Sequence, residues 1–177
     1  KSLSAVSIRQ YEQAVRALRA YRRTIDDGMQ VVLRAERRSL AGVETGDGAT
    51  LAIVFGSDHG LCGRFNQEIA RFALARLDAR GLDRAATRFV VAGARAASRL
   101  EAADIAVERT LLLAGAVEGL EETARTLLLE IDAARAADGI ARVLVFYNRP
   151  SPGATARPQA IQLLPLERRW LAHLESR

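Results

Sequence analysis

The apolar positions of the first 38 residues fall into rows spaced seven apart. Tyr11, Leu18, Ile25 and Val32 make one row, Ala14, Tyr21, Gly28 and Ala35 a second, and Ile8, Val15 and Met29 a third. The stretch contains no proline and one glycine. A sustained seven-residue repeat predicts a long helix over residues 3–35 with a left-handed coiled-coil seam. The seam comprises Tyr11, Ala14, Leu18, Tyr21, Ile25, Met29 and Val32. A helix through all 38 residues would run for about 55 Å at 1.5 Å per residue, longer than the core of a small domain requires. The sequence has no second long heptad segment, so the seam is expected to pair with another chain or with a part of the protein beyond these residues.

After residue 38 the period changes. Ser39, Gly42, Gly46, Asp47 and Gly48 mark a linker over 39–49, and strand-length and helix-length patterns then alternate. Strand 50–56 passes through a glycine-rich turn into helix 66–80, which carries Ile69, Phe72, Ala73 and Leu77 on one side and has Gly81 beyond its end. Strand 88–92 leads through Gly93 to a short helix, 94–102, and a short strand follows near 104–109. Helix 116–137 carries the apolar residues Leu120, Ala124, Leu127, Leu128, Ile131 and Ala134 and ends before Asp138-Gly139. Strand 141–148, a turn at Arg149-Pro150-Ser151-Pro152-Gly153 and strand 156–164 close the pattern as an antiparallel hairpin. The expected fold class is α/β: a Rossmann-like, mostly parallel sheet with an antiparallel edge hairpin, preceded by a long N-terminal coiled-coil helix. The expected division is residues 1–38 for the helix, 39–49 for the linker and 50–177 for the globular domain.

Composition sharpens this only in places. With 177 residues, 49% hydrophobic and 27% charged, the chain has material for one folded domain with an appendage. No run of 18 uncharged apolar residues is present, so no membrane span of its own is expected. The chain starts at Lys1 in the middle of a helical pattern, and it reads as a fragment. The net charge of +5 sits entirely in residues 1–40, which hold nine basic and four acidic groups; the remainder is neutral. A basic helix of this kind binds nucleic acid, anionic lipid or an acidic protein surface, or is simply solvated. Arg9, Arg16, Arg23 and Arg37 share one seven-residue row opposite the seam, with Arg19 beside it.

Familiar catalytic patterns fail on residue type. The pair Gly60 and Gly63 lacks the third glycine of a dinucleotide fingerprint, and the only lysine is Lys1, which excludes a phosphate-binding loop of the Gly-Lys-Ser/Thr kind. Cys62, the single cysteine, precedes a helix, where a thiol pKa can fall. A phosphatase loop would place arginine six positions later, but Glu68 stands there. The two histidines, His59 and His173, have no metal-ligand spacing with Cys62. A cysteine-dependent α/β enzyme using Cys62 remains one alternative, against a packed turn cysteine; a basic-helix nucleic-acid adaptor is another, although stacking aromatics are not interleaved with the arginines. Asp58 reads as a turn acceptor.

The segment Gly56-Ser57-Asp58-His59-Gly60-Leu61-Cys62-Gly63-Arg64-Phe65-Asn66 resembles the Ser/Thr-Asp-Arg-Gly-Leu-Cys-Gly-Gly-x-Asn segment of the gamma subunit, the central shaft, of F-type ATP synthases. Asp58, Gly60, Leu61, Cys62, Gly63 and Asn66 carry the likeness. Weaker matches follow in the same order: Lys1 to Val6, Ala20-Tyr21-Arg22, Gly93-Ala94-Arg95, Phe146-Tyr147-Asn148 and Ile161 to Leu166. His59 stands where the family has arginine and Arg64 where it has a second glycine, departures that leave room for a divergent alternative-ATPase branch. The resemblance implies a non-catalytic rotor subunit without cofactor, metal or catalytic residues of its own. Its implied partners are the alpha and beta subunits of the catalytic ring, the epsilon subunit and the membrane c-ring, with no direct nucleic acid. The missing C-terminal helix of that family would complete the seam, and the basic row Arg9, Arg16, Arg19, Arg23 and Arg37 would face the catalytic subunits. The implied location is peripheral, on the cytoplasmic side of a bacterial inner membrane.

Overall fold

In a computed structural model, the structure describes residues 2–35, 48–113, 115–151, 154–167 and 170. The expected linker over 39–49 lies almost wholly outside them, as does Arg37, and the side chain of Val32 lies outside the described ones. The chain divides into two compact units. One comprises Lys1–Val43, Ala114–Glu121 and Leu166–Arg177, the other Glu44–Leu113 and Glu122–Pro165.

The first unit contains helix α1, Ser2–Ala35, which has the length that the absence of breakers allows. Tyr11, Ala14 and Met29 are half-buried within the chain. Leu18, Tyr21 and Ile25 remain 60%, 64% and 46% exposed, and Ile8, Val15 and Val31 are also exposed. Arg9, Arg16, Arg19 and Arg23 are exposed too. The helix therefore presents both a basic row and an apolar surface that no described residue covers.

The second unit holds a five-stranded sheet. Its strands are β1 (Ala49–Phe55), β2 (Thr87–Ala92), β3 (Val107–Leu111), β4 (Ile140–Ser151) and β5 (Ala154–Leu164). The spatial order is β3-β2-β1-β4-β5, parallel except for the antiparallel β4–β5 pair. Helices α2 (Phe65–Ala79) and α3 (Ala94–Glu101) follow β1 and β2, and α4 (Leu120–Asp138) precedes β4. Chain order explains the layers. Two right-handed crossovers carry β1 to β2 to β3 in one direction, and the third returns across β1 to β4, so its helix covers the opposite face.

Side-chain alternation along β1 separates the two cores. Ala52 and Val54 join Ile69, Ala73 and Leu77 of α2, Ala96 and Leu100 of α3, and Phe89, Val91 and Phe146. Leu51 and Ile53 join Leu127, Ile131 and Ala134 of α4, with Val90, Val143 and Val145. A strand covered on both faces reads as a continuous apolar run, which is what Leu51 to Phe55 shows.

Three local expectations need correction. The short strand predicted near 104–109 begins later, at Val107, after a break with Asp104 at φ +58°. Of the apolar residues expected on helix α4, Leu127, Ile131 and Ala134 are buried, while Leu120, Ala124 and Leu128 are exposed. Arg149 is not in the turn: it pairs with Arg157, and the ladder extends to Ser151 opposite Ala154. The register shifts between Arg149 and Ser151, around Pro150, and β5 carries Pro158 at the sheet edge. Both prolines sit where a missing N–H is tolerated, at an irregularity and on an edge strand. Pro152 and Gly153, at the hairpin tip, lie outside the described residues.

Candidate functional site

The turn over residues 56–66 leaves the C-terminal end of β1 at the point where neighbouring crossovers depart in opposite directions, the switch point where ligands of open α/β sheets commonly bind. Its construction begins with Gly56, whose amide donates to the Ala92 carbonyl at 2.8 Å. A Cβ on Gly56 would lie 2.2 Å from the Ala96 Cβ, so α3 packs directly onto this backbone. Gly93 starts α3 with φ +120°, and a Cβ there would lie 2.6 Å from the Ser57 amide nitrogen. Only glycine satisfies both the angle and the approach.

Gly93 has no side chain with which to cap α3, and Asp58 takes over that task from another part of the chain. Its Oδ1 accepts the Ala94 N–H at 2.9 Å and its Oδ2 accepts the Leu113 N–H at 2.7 Å. One carboxylate thus satisfies a free amide at a helix start, where negative charge is favoured, and ties down the loop after β3. The Ser57 carbonyl accepts the Arg95 N–H at 2.9 Å.

Asn66 closes the turn from inside. It is buried, its Oδ1 accepts the Ser57 N–H at 2.9 Å, and its Nδ2 lies 2.9 Å from Ser57 Oγ and 3.1 Å from Cys62 Sγ. Ser57 Oγ donates to the His59 carbonyl at 2.9 Å. From β4, Asn148 Nδ2 donates to the Phe65 carbonyl at 3.4 Å, holding the first turn of α2 to the sheet. Gly63 has φ +58°, and so, unusually for a non-glycine residue, does its neighbour Leu61 at +62°. Leu61 is fully exposed.

This arrangement spends its polar atoms on the turn itself. Asp58 and Asn66 satisfy backbone amides, and the hydrogen-bond partners of exposed Cys62 are Ser57, Asn66 and the His59 carbonyl. No imidazole or carboxylate is among them. Among the described residues no cluster of His, Cys, Asp or Glu could hold a metal ion, and no helix is long and apolar enough to cross a membrane. Helix α1, with the described residues of the basic row and the seam, belongs to the other unit. The sequence reading missed the Ser57–Asn66 lock and the Asp58 tie across two loops. The nine-residue spacing of Ser57 and Asn66 across a glycine turn is the only local signal of the first; the second needs the strand order.

Fold and site together define a Rossmann-like α/β protein whose switch-point turn is held by hydrogen bonds within its own chain. The chain matches the family model described as ATP synthase over residues 1–176, and it belongs to that family. No curated protein matches it. Among solved structures it is similar to a chain of the Tetrahymena thermophila mitochondrial ATP synthase central stalk and c-ring. Identity is 22% and the TM-score 0.66, over 98% of this chain and 74% of that one. It is also similar to a chain of the Euglena gracilis mitochondrial ATP synthase OSCP/F1/c-ring, at 16% identity and TM-score 0.51, over 97% of this chain and 61% of the other. At these identities the likeness is one of fold.

Proposed function

We propose that this chain is a gamma-type central-stalk subunit of an F-type ATP synthase, non-catalytic itself, that couples ion flow through a membrane ring to ATP synthesis or hydrolysis on other chains. Residues 1–38 form the shaft half of a coiled coil, 39–49 a linker and 50–177 the globular domain. The observation that carries the reading is the apolar surface of α1: a 34-residue helix leaves Leu18, Tyr21 and Ile25 about half to two-thirds exposed within its own chain. Such a surface demands a partner in water. Family membership supports the complex, and the shared fold with a chain of the Tetrahymena central stalk and c-ring supports the stalk.

In this reading Tyr11, Ala14, Leu18, Tyr21, Ile25, Met29 and Val32 form the seam against a second helix. The row Arg9, Arg16, Arg19, Arg23 and Arg37 turns towards the alpha and beta subunits. The switch-point turn, with Asp58, Gly60, Leu61, Cys62, Gly63 and Asn66, fixes the globular domain that engages the epsilon subunit and the c-ring. The complex is peripheral to the cytoplasmic side of a bacterial inner membrane. Co-expression with the catalytic-ring subunits tests this. The wild-type chain should co-purify in a complex that hydrolyses ATP, and Leu18→Asp with Ile25→Asp should abolish co-purification while the isolated chain keeps its circular dichroism. Equal recovery of the double variant in the complex would refute the seam.

A further inference from the structure

A cleft of about 280 Å³ runs between α2 and α3 on the outer side of the sheet. Its floor is aliphatic, Ala70 and Leu74, both buried in α2, with exposed Ala102 and Ala103 after α3 at its rim. Arg71 and Arg99 stand on its two sides, both exposed, and neither forms an ion pair with a described residue. Among the described residues no carboxylate lines it. Three arginines nearby are engaged instead: Arg64 pairs with Glu68 at 3.6 Å, Arg84 clasps Asp78, and Arg76 lies over the Phe72 ring at 5.3 Å. The α2–α3 cleft thus combines an apolar floor with two uncommitted guanidiniums.

We propose that this cleft docks an acidic, amphipathic segment of a partner protein, an aliphatic side chain entering between α2 and α3 while flanking carboxylates meet Arg71 and Arg99. Charge complementarity selects the occupant: two guanidinium forks without a carboxylate are built for planar bidentate acceptors. The volume falls just below the roughly 300–1,000 Å³ of small-molecule pockets, which suits one or two side chains rather than a whole ligand. A nucleic acid would call for aromatic platforms, and none lines the cleft. A lipid surface would call for protruding apolar side chains, whereas this apolar surface is recessed. None of the lining residues belongs to α1 or to the switch-point turn, so the occupant is independent of the rotor reading.

The test is fluorescence anisotropy of the 177-residue chain with a fluorescein-labelled peptide of alternating Glu and Leu, beside the same peptide with Gln for Glu and vesicles of phosphatidylglycerol. Because α1 also carries exposed arginines, the variants decide. Arg71→Gln with Arg99→Gln should weaken the acidic peptide about tenfold, and the Gln peptide should bind no better to the wild type than to this variant. Ala103→Glu, which places a carboxylate at the rim while leaving both arginines in place, should weaken it similarly. Absence of binding, binding unchanged by both variants, or capture by vesicles in preference to the peptide would overturn the proposal.

Discussion

At the scale of single residues, the turn after β1 is held by satisfied amides. Asn66 is buried and bonded to both the amide and the hydroxyl of Ser57. Asn66→Ala leaves the part-buried Ser57 N–H without its acceptor, and chemical denaturation should show a loss of about 1–2 kcal/mol. Asn66→Asp retains the acceptor but loses the donor towards Ser57 Oγ and Cys62 Sγ, and it should cost less. Leu61 presents the opposite case. It holds a left-handed conformation at φ +62° while fully exposed, so it contributes strain without burial. Glycine would relieve about 1–2 kcal/mol of strain and lose part of that to chain entropy. Leu61→Gly should therefore raise stability by up to about 1 kcal/mol; a clear loss in thermal unfolding would mean that the leucine packs on something. The resemblance at Asp58, Gly60, Leu61, Cys62, Gly63 and Asn66 is legible in the sequence, but the bonding is not. Asp58 meets the Ala94 and Leu113 amides only because β1, β2 and β3 lie side by side, a fact of strand order rather than of local pattern.

At the scale of elements, the edges of the sheet are held by ion pairs. Arg88 on β2 joins Glu108 on β3 and Asp138 at the end of α4, and Arg109 on β3 joins Glu130 on α4. Hydrogen bonding to the Arg88 guanidinium holds the Glu108 carboxyl below the usual carboxylate range. A depressed pKa means that the unfolded state takes up the proton more readily, so this pair stabilises the fold above the ordinary carboxylate range. The contribution is lost as pH falls through the lowered value. Glu108→Gln should cost about 0.5–1 kcal/mol at neutral pH, given how exposed the pair is, and the difference from wild type should vanish in acid. A difference that persists at low pH would point to packing instead. Elements whose periods are pure are readable from the sequence. The apolar run of β1, the alternation of helix and strand, and the Gly81 turn that ends α2 with φ +66° all follow from local chemistry. Helix α4 is ambiguous because Leu127, Leu128 and Leu129 are consecutive, so sequence offers three candidate faces and only packing on β1 and β4 selects Leu127. Arg149-Pro150 reads as a turn because proline usually interrupts a strand, yet an edge hairpin absorbs it at a shift of register.

At the scale of the whole molecule, α1 is a surface that needs a partner. Burying Tyr11, Leu18, Tyr21, Ile25, Met29 and Val32 against a second helix would contribute on the order of 10 kcal/mol, comparable to the stability of an entire domain. The arginines Arg9, Arg16, Arg19 and Arg23 would contribute far less, about 0–1 kcal/mol for each exposed pair. In the proposed rotor, weak contacts would suit a surface that releases at every step. Arg9, Arg16 and Arg23 changed together to Gln should therefore leave assembly intact and alter the ionic-strength dependence of torque; an unchanged dependence would make the row a solvated face. The most direct measurement is rotation itself. With the catalytic ring immobilised and a bead attached through a cysteine introduced at exposed Ala136 on α4, in a Cys62→Ser background, ATP should drive unidirectional rotation of the bead. The rotation should stop when ATP is removed. Steady ATP hydrolysis by the assembled ring with the bead stationary would contradict the rotor account.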